Sequence, residues 1–179
     1  MDKTALITGG SGGIGLELAK KFAEDNINLL LVARSSDRLL EIKKELEEKY
    51  QILVNILPID LSVRETPNRV FEFTKDNELQ IEYLINNAGF GDFVYFYETD
   101  WKKEEKMISL NITNLTHLTK LFLTEMVERD SGKIMNVAST AAFQPGPLMA
   151  VYYATKAYVL HFSEAINKEL EDKNITVTA

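Results

Sequence analysis

Apolar and β-branched residues gather in short runs at Thr4–Ile7, Asn28–Val32, Ile52–Leu57, Ile81–Ile85, Lys133–Val137 and Ile175–Val177. Runs of that length and composition predict strands. Between them the period changes. Leu39, Ile42 and Leu46 recur at steps of three and four, as do Leu115, Leu118, Phe122 and Met126, and again Phe162, Ile166 and Leu170. Each set makes one apolar stripe along a helix. Six strands alternating with helices imply right-handed crossovers, hence a parallel sheet with helices on both faces. The predicted class is α/β, doubly wound, in a single domain over residues 1–179 that ends early in the sixth strand. No repeat, low-complexity tract or Gly/Ser linker divides it.

Composition narrows the function. With 179 residues, 45% hydrophobic and 26% charged, the chain has the makeup of a globular domain with a core of normal size. A net charge of −7 and scattered Lys and Arg argue against nucleic acid or an anionic membrane as partner, leaving small molecules or proteins. There is no cysteine, so neither a disulfide framework nor a thiolate metal site exists. The N-terminus enters a strand-like run at once instead of a signal-peptide core, and a cytoplasmic location is expected. No HExxH or aspartate-rich loop is present, and His117 and His161 fall within predicted helices. No metal is expected.

Directly after the first run comes Thr8-Gly9-Gly10-Ser11-Gly12-Gly13-Ile14-Gly15, followed by the helical stretch Leu16–Ala23. A glycine turn between strand and helix lets backbone amides approach a pyrophosphate and aims the helix dipole at it. The alternative is a turn that merely packs a helix on a sheet. Strand-before and helix-after favour the cradle, and with it a Rossmann-type sheet, although Gly9-x3-Gly13-x-Gly15 departs from the commoner G-x-G-x-x-G. The second strand ends Ala33-Arg34-Ser35, where an NAD-selective fold offers a carboxylate. Arg34, with Ser35 and Arg38, suits a 2′-phosphate instead. NADP is expected over NAD.

Tyr152-Tyr153-Ala154-Thr155-Lys156 places a phenol and an ammonium one helical turn apart. A free phenol titrates near 10, and a cation within about 4–6 Å favours its ionised form, so such a pair can exchange a proton nearer neutrality. Tyr153 lacks a lysine four places on, since position 157 is alanine. The densest irregular stretches, Asn86–Asp100 and Ala138–Val151, each follow a predicted strand, at the edge where open α/β sheets bind ligands. Within the first, Phe90, Phe93, Tyr95, Phe96, Tyr97 and Trp101 either wall an apolar pocket or pack as core. Taken singly, Ser139 also suits an N-cap, Asn111 a helix cap, and Asn86–Asn87 a turn.

With the glycine turn, Asn86-Asn87-Ala88-Gly89 after the fourth strand, Asn111 in the next helix, Ser139 after the fifth and Tyr152-x-x-x-Lys156, the chain resembles the short-chain dehydrogenase/reductase family along nearly its whole length. The resemblance implies an NADP-dependent oxidoreductase that interconverts a carbonyl and a secondary alcohol. It makes Tyr152 the acid/base, Ser139 a hydrogen-bond partner of the substrate oxygen, and Lys156 the group that tunes the phenol and holds the nicotinamide ribose. Asn111 would support a relay water. The cofactor site would comprise Gly9, Ser11, Gly12, Gly13, Ile14, Gly15, Arg34, Ser35, Arg38, Asp60, Leu61, Asn87, Ala88 and Gly89, together with Tyr152 and Lys156. Helices over 111–129 and 152–171 match those that pair in relatives, so a homodimer or homotetramer is expected. A non-catalytic NADP-binding regulatory or assembly protein is the alternative on the same fold. The family continues past the sixth strand into a Pro-Gly turn, a substrate loop and a last strand. Without them, an intact adenine half and an open nicotinamide end with weak turnover are expected.

Overall fold

The computed structural model describes residues 3–179. Its six strands are β1 (Thr4–Thr8), β2 (Asn28–Ala33), β3 (Val54–Pro58), β4 (Ile81–Asn86), β5 (Gly132–Asn136) and β6 (Ile175–Thr178). They form one parallel sheet in the order β3-β2-β1-β4-β5-β6. The helices are α1 (Gly13–Glu24), α2 (Ser36–Tyr50), α3 (Thr66–Asp76), α4 (Trp101–Ile108), α5 (Leu115–Arg129) and α6 (Ala150–Glu169). A π-helical turn, Ser109–Asn114, joins α4 to α5, and short 3-10 turns lie at Phe96–Glu98 and Thr140–Phe143. The alternation read from the sequence is therefore the observed order, in a Rossmann-type doubly wound arrangement.

The period-two rule of a strand sends alternate residues into two separate cores. Ala5, Ile7, Leu29, Leu31 and Ile85 meet Ala19 and Ala23 of α1 and Leu39, Ile42 and Leu46 of α2. Leu6, Leu30, Val32, Leu84 and Ile134 meet Val70 of α3 and Leu118, Phe122 and Met126 of α5. All five residues of β1 are buried, as a central parallel strand requires. Strands β5 and β6 differ. Gly132, Ile134, Ile175 and Val177 are buried while Lys133, Met135, Thr176 and Thr178 are exposed, so helices cover this pair on the α6 side only.

One expectation needs correction and another needs extending. The third strand begins at Val54, not Ile52, because Gln51 turns left-handed (φ 56°) to close α2, after which Ile52 tucks into the core and Leu53 faces solvent. The apolar stripe expected along the last helix does face the core, but it is only part of the buried face. Phe162 is half-buried, Ile166 packs against the core and Leu170, just past the helix end, is buried in it, while the side chains fully buried within α6 are Thr155, Lys156, Val159 and Ser163. Three of those four carry polar groups, since that face meets polar groups at the end of β5. Among the described residues, no helix is long and apolar enough to cross a membrane.

Candidate active site

Strand β1 feeds a helix on one face of the sheet and β4 a helix on the other, so a crevice opens between their carboxyl ends. It holds a cleft of about 960 Å³. The Thr8 hydroxyl, at the end of β1, donates to the Ile85 carbonyl at 3.3 Å and accepts from the amides of Asn87 (2.9 Å) and Ala88 (3.0 Å). Asn87 Nδ2 returns a bond to the Thr8 carbonyl at 2.9 Å. The two loops that wall the crevice are thus stitched together at its floor.

Gly9, Ser11, Gly12, Gly13 and Ile14 line this cleft. Gly15 does not, but it lets α1 approach the turn: a methyl group there would run into the Gly9 carbonyl and Asn87 Nδ2. Helix α1 begins with no side-chain cap and no acidic residue in its first turn. Its leading amides have no intrahelical acceptor. Together with the dipole they make a place for an anion, and the backbone at Gly12 and Gly13 leaves it clear. These residues fit a dinucleotide diphosphate.

Arg34 and Ser35 line the cleft where β2 ends, and Asp60 and Leu61 where β3 ends. Arg38 does not line it; its guanidinium turns along α2 to Glu41 at 2.8 Å. Asp60 Oδ1 accepts from the Ser62 amide (2.9 Å) and hydroxyl (2.8 Å). The Ser62 amide first, then its hydroxyl and the charges of Arg34 and Lys106, hold the Asp60 carboxyl below its ordinary range against the opposing effect of burial. Lys106 of α4 also lines the cleft, a cation that the sequence reading passed over.

At the other end stand Ser139, Tyr152 and Lys156, together with Asn87, Ala88 and Gly89. Ser139 Oγ accepts from the Ala141 amide at 3.1 Å, so it does cap a short 3-10 turn. Because that bond uses a lone pair, its proton stays free to donate. Lys156 is 6% exposed and donates to the Val137 carbonyl at 2.7 Å, with its nitrogen 5.9 Å from the centre of the Tyr152 ring. Burial pushes its pKa down. Gly89 leaves room beside it, since a methyl there would stand 3.6 Å from the ammonium and 3.1 Å from Asn111 Oδ1.

Asn111 lies behind the wall of the cleft and not on it. Its Oδ1 accepts from the Phe90 amide (3.3 Å), while Nδ2 donates to the Phe90 carbonyl (3.0 Å) and to Thr155 Oγ1 (3.1 Å). It ties the Gly89–Phe90 backbone to α6. Phe90 reaches the cleft, but Phe93, Tyr95, Phe96, Tyr97 and Trp101 are exposed, so the aromatic loop forms neither core nor enclosed pocket.

The sequence profile described as short chain dehydrogenase matches residues 3–179. The chain belongs to the short-chain dehydrogenase family. It is 33% identical over 177 residues to a very-long-chain 3-oxoacyl-CoA reductase of Rattus norvegicus, covering 97% of this chain and 56% of that protein. It is similar in structure to a bulky-bulky ketone specific alcohol dehydrogenase from Comamonas testosteroni, with 34% identity and a TM-score of 0.92 over 97% of this chain and 70% of that one. A short-chain dehydrogenase from Sphingobium yanoikuyae in complex with NADPH is likewise 34% identical, with a TM-score of 0.92 over 99% of this chain and 68% of the other. The chain thus spans a little over half the length of the curated reductases it matches. This short-chain dehydrogenase gathers into one cleft most of the residues its sequence singled out, leaving Arg38 outside and Gly15 and Asn111 in support behind.

Proposed function

We propose that the chain is a single dinucleotide-binding domain of an NADP-dependent oxidoreductase that interconverts a carbonyl and a secondary alcohol. One observation carries this reading. The uncapped amides of α1, the Arg34 guanidinium and the trio Ser139, Tyr152 and Lys156 all line one continuous cleft. The NADPH-bound relative supports the cofactor. Residues 11–14 would receive the diphosphate, Asp60 and Leu61 the adenine, and Arg34 with Ser35 the 2′-phosphate. Arg34 has no ion-pair partner within 4 Å among the described residues, and Ala33 offers no competing carboxylate.

When bound, the nicotinamide supplies or accepts the hydride. The protein handles the proton. Tyr152 gives it to the oxygen of the reduced carbonyl and takes it back in the reverse direction. The free Ser139 hydroxyl donates a hydrogen bond to that same oxygen. Lys156 has one N–H bonded to Val137 and two left over, enough to hold ribose hydroxyls while its charge stabilises the phenolic oxygen as the proton leaves. Asn111 holds the Phe90 backbone against α6 from behind the cleft.

Mixing the protein with NADPH and a panel of aldehydes and ketones, and following the absorbance of the reduced nicotinamide, tests the reading. Turnover that disappears in Tyr152→Phe with NADPH binding retained supports it; undiminished turnover refutes it. We also infer a cytoplasmic homodimer or homotetramer paired through α5 and α6, where Tyr158 stacks on Phe162 and meets Thr116 at 3.0 Å. A monomer by light scattering at working concentration would count against that assembly.

A further inference from the structure

Asn86 and Asn136 are register partners at the ends of β4 and β5, buried to 3% and 0% exposure. Their amides form a ladder. Asn86 Nδ2 donates to Asn136 Oδ1 at 2.9 Å and to Thr119 Oγ1 of α5 at 3.0 Å. Asn136 Nδ2 donates to Ser163 Oγ of α6 at 2.9 Å, and that hydroxyl donates on to the Val159 carbonyl at 2.7 Å. A single run of polar groups therefore crosses from α5 to α6 through two adjacent strands, in a layer otherwise packed with Leu, Ile and Phe.

Leucine or valine at these positions would fill the same layer without amides to satisfy. What the amides add is direction: Asn86 Oδ1 is left without a partner, but both ends of the Asn136 amide are bonded, and such bonds specify one arrangement where apolar packing tolerates several. The direction falls on α6. Lys156 and Ser163 are seven residues apart, about two turns or ~10 Å along one face. Their bonds go to consecutive places on β5 and just beyond it, Lys156 to the Val137 carbonyl and Ser163 to Asn136. Two directional bonds on one face, two turns apart, fix the rotation of the helix as well as its height.

We propose that Asn136 and Ser163 are positioning residues for Lys156: their amide–hydroxyl bond sets the rotation of α6 at which the Lys156 ammonium meets the Val137 carbonyl and stays out of water. The consequence for turnover rests on the role given to Lys156 above. The placement itself is open to test in the protein alone.

The experiment is ¹³C NMR of Cε-labelled lysines in the intact chain without cofactor, with the Lys156 signal assigned by its loss in Lys156→Met. In Ser163→Ala and Asn136→Leu the titration midpoint of Lys156 moves upward as its ammonium gains water, and Ser163→Thr, which keeps the hydroxyl, holds the original midpoint. With NADPH and a ketone, kcat falls roughly 10-fold or more in Ser163→Ala at nearly unchanged KM, the scale on which misplacement of about an ångström acts. A Lys156 midpoint unmoved in Ser163→Ala overturns the proposal, whatever happens to the melting temperature. Should Asn136→Leu fail to fold, the Ser163 pair still decides. If Tyr152→Phe keeps its turnover, the catalytic reading falls while the lysine titration judges the placement separately.

Discussion

Lys156 donates its buried ammonium to the carbonyl of Val137 at 2.7 Å, which seats the cation beside Tyr152 just past the end of β5. Burial lowers its pKa, so between the folded midpoint and the unfolded value of 10.5 the unfolded chain binds the extra proton. Stability must therefore rise with pH across that window, and below it the buried charge is a standing cost. Urea unfolding at a series of alkaline pH values should show this rise in the native sequence and a flatter profile in Lys156→Met. Equal slopes in the two would mean that the amine is solvated.

Asp60 acts with the opposite sign. Its carboxyl is depressed, chiefly by the Ser62 amide, so its contribution is fully present above the ordinary value of 3.8 and fades as pH falls from there through the lower folded value. Asp60→Asn should lose part of the acid limb of a stability-versus-pH curve while leaving alkaline behaviour alone. Unfolding by urea between neutral and strongly acid pH reads this directly.

A methyl group at Gly15 would run into the Gly9 carbonyl and Asn87 Nδ2 at once. In Gly15→Ala, α1 must shift away from the turn and carry its leading amides with it. NADPH affinity should fall at least about tenfold, or ~1.4 kcal/mol. Isothermal titration calorimetry at constant salt measures the loss, and circular dichroism confirms that the sheet survives.

Arg34 and Arg38 lie four residues apart yet differ in expected effect. Arg34 faces the cleft and Arg38 faces Glu41. Losing charge-assisted bonds of about 1.5–3 kcal/mol, Arg34→Ala should bind NADPH roughly 10- to 100-fold more weakly with little change for NADH. Arg38→Ala should leave both within about twofold, as exposed ion pairs contribute ~0–1 kcal/mol. Equal losses in the two variants would contradict the placement of the 2′-phosphate.

The sheet was legible because its strands are nearly uninterrupted apolar runs and its helices switch to a period that only one face can satisfy. What escaped were polar residues whose meaning is set by distant partners. Asn136 sits in a run that reads simply as strand, and its value emerges only when register places it beside Asn86, fifty residues away. Thr8 likewise ends a strand unnoticed until the loop of Asn87 is folded over it. Along α6 the period of Phe162, Ile166 and Leu170 marked only part of the inner face, because Lys156 and Ser163 are held there by hydrogen bonds that apolar spacing does not report. Spacing alone found Tyr152 and Lys156, since one turn of helix relates them. It did not separate Arg34 from Arg38, which requires knowing where the helix begins.

The Thr8 hydroxyl has a thermodynamic corollary. By gripping two amides of the neighbouring loop, it freezes both rims of the crevice during folding, when ordering a residue's backbone costs about 1–2 kcal/mol. A nucleotide arriving later finds its donors already aimed, so its association should show a small entropic penalty, and Thr8→Val should reveal that penalty as weaker binding with a more unfavourable entropy.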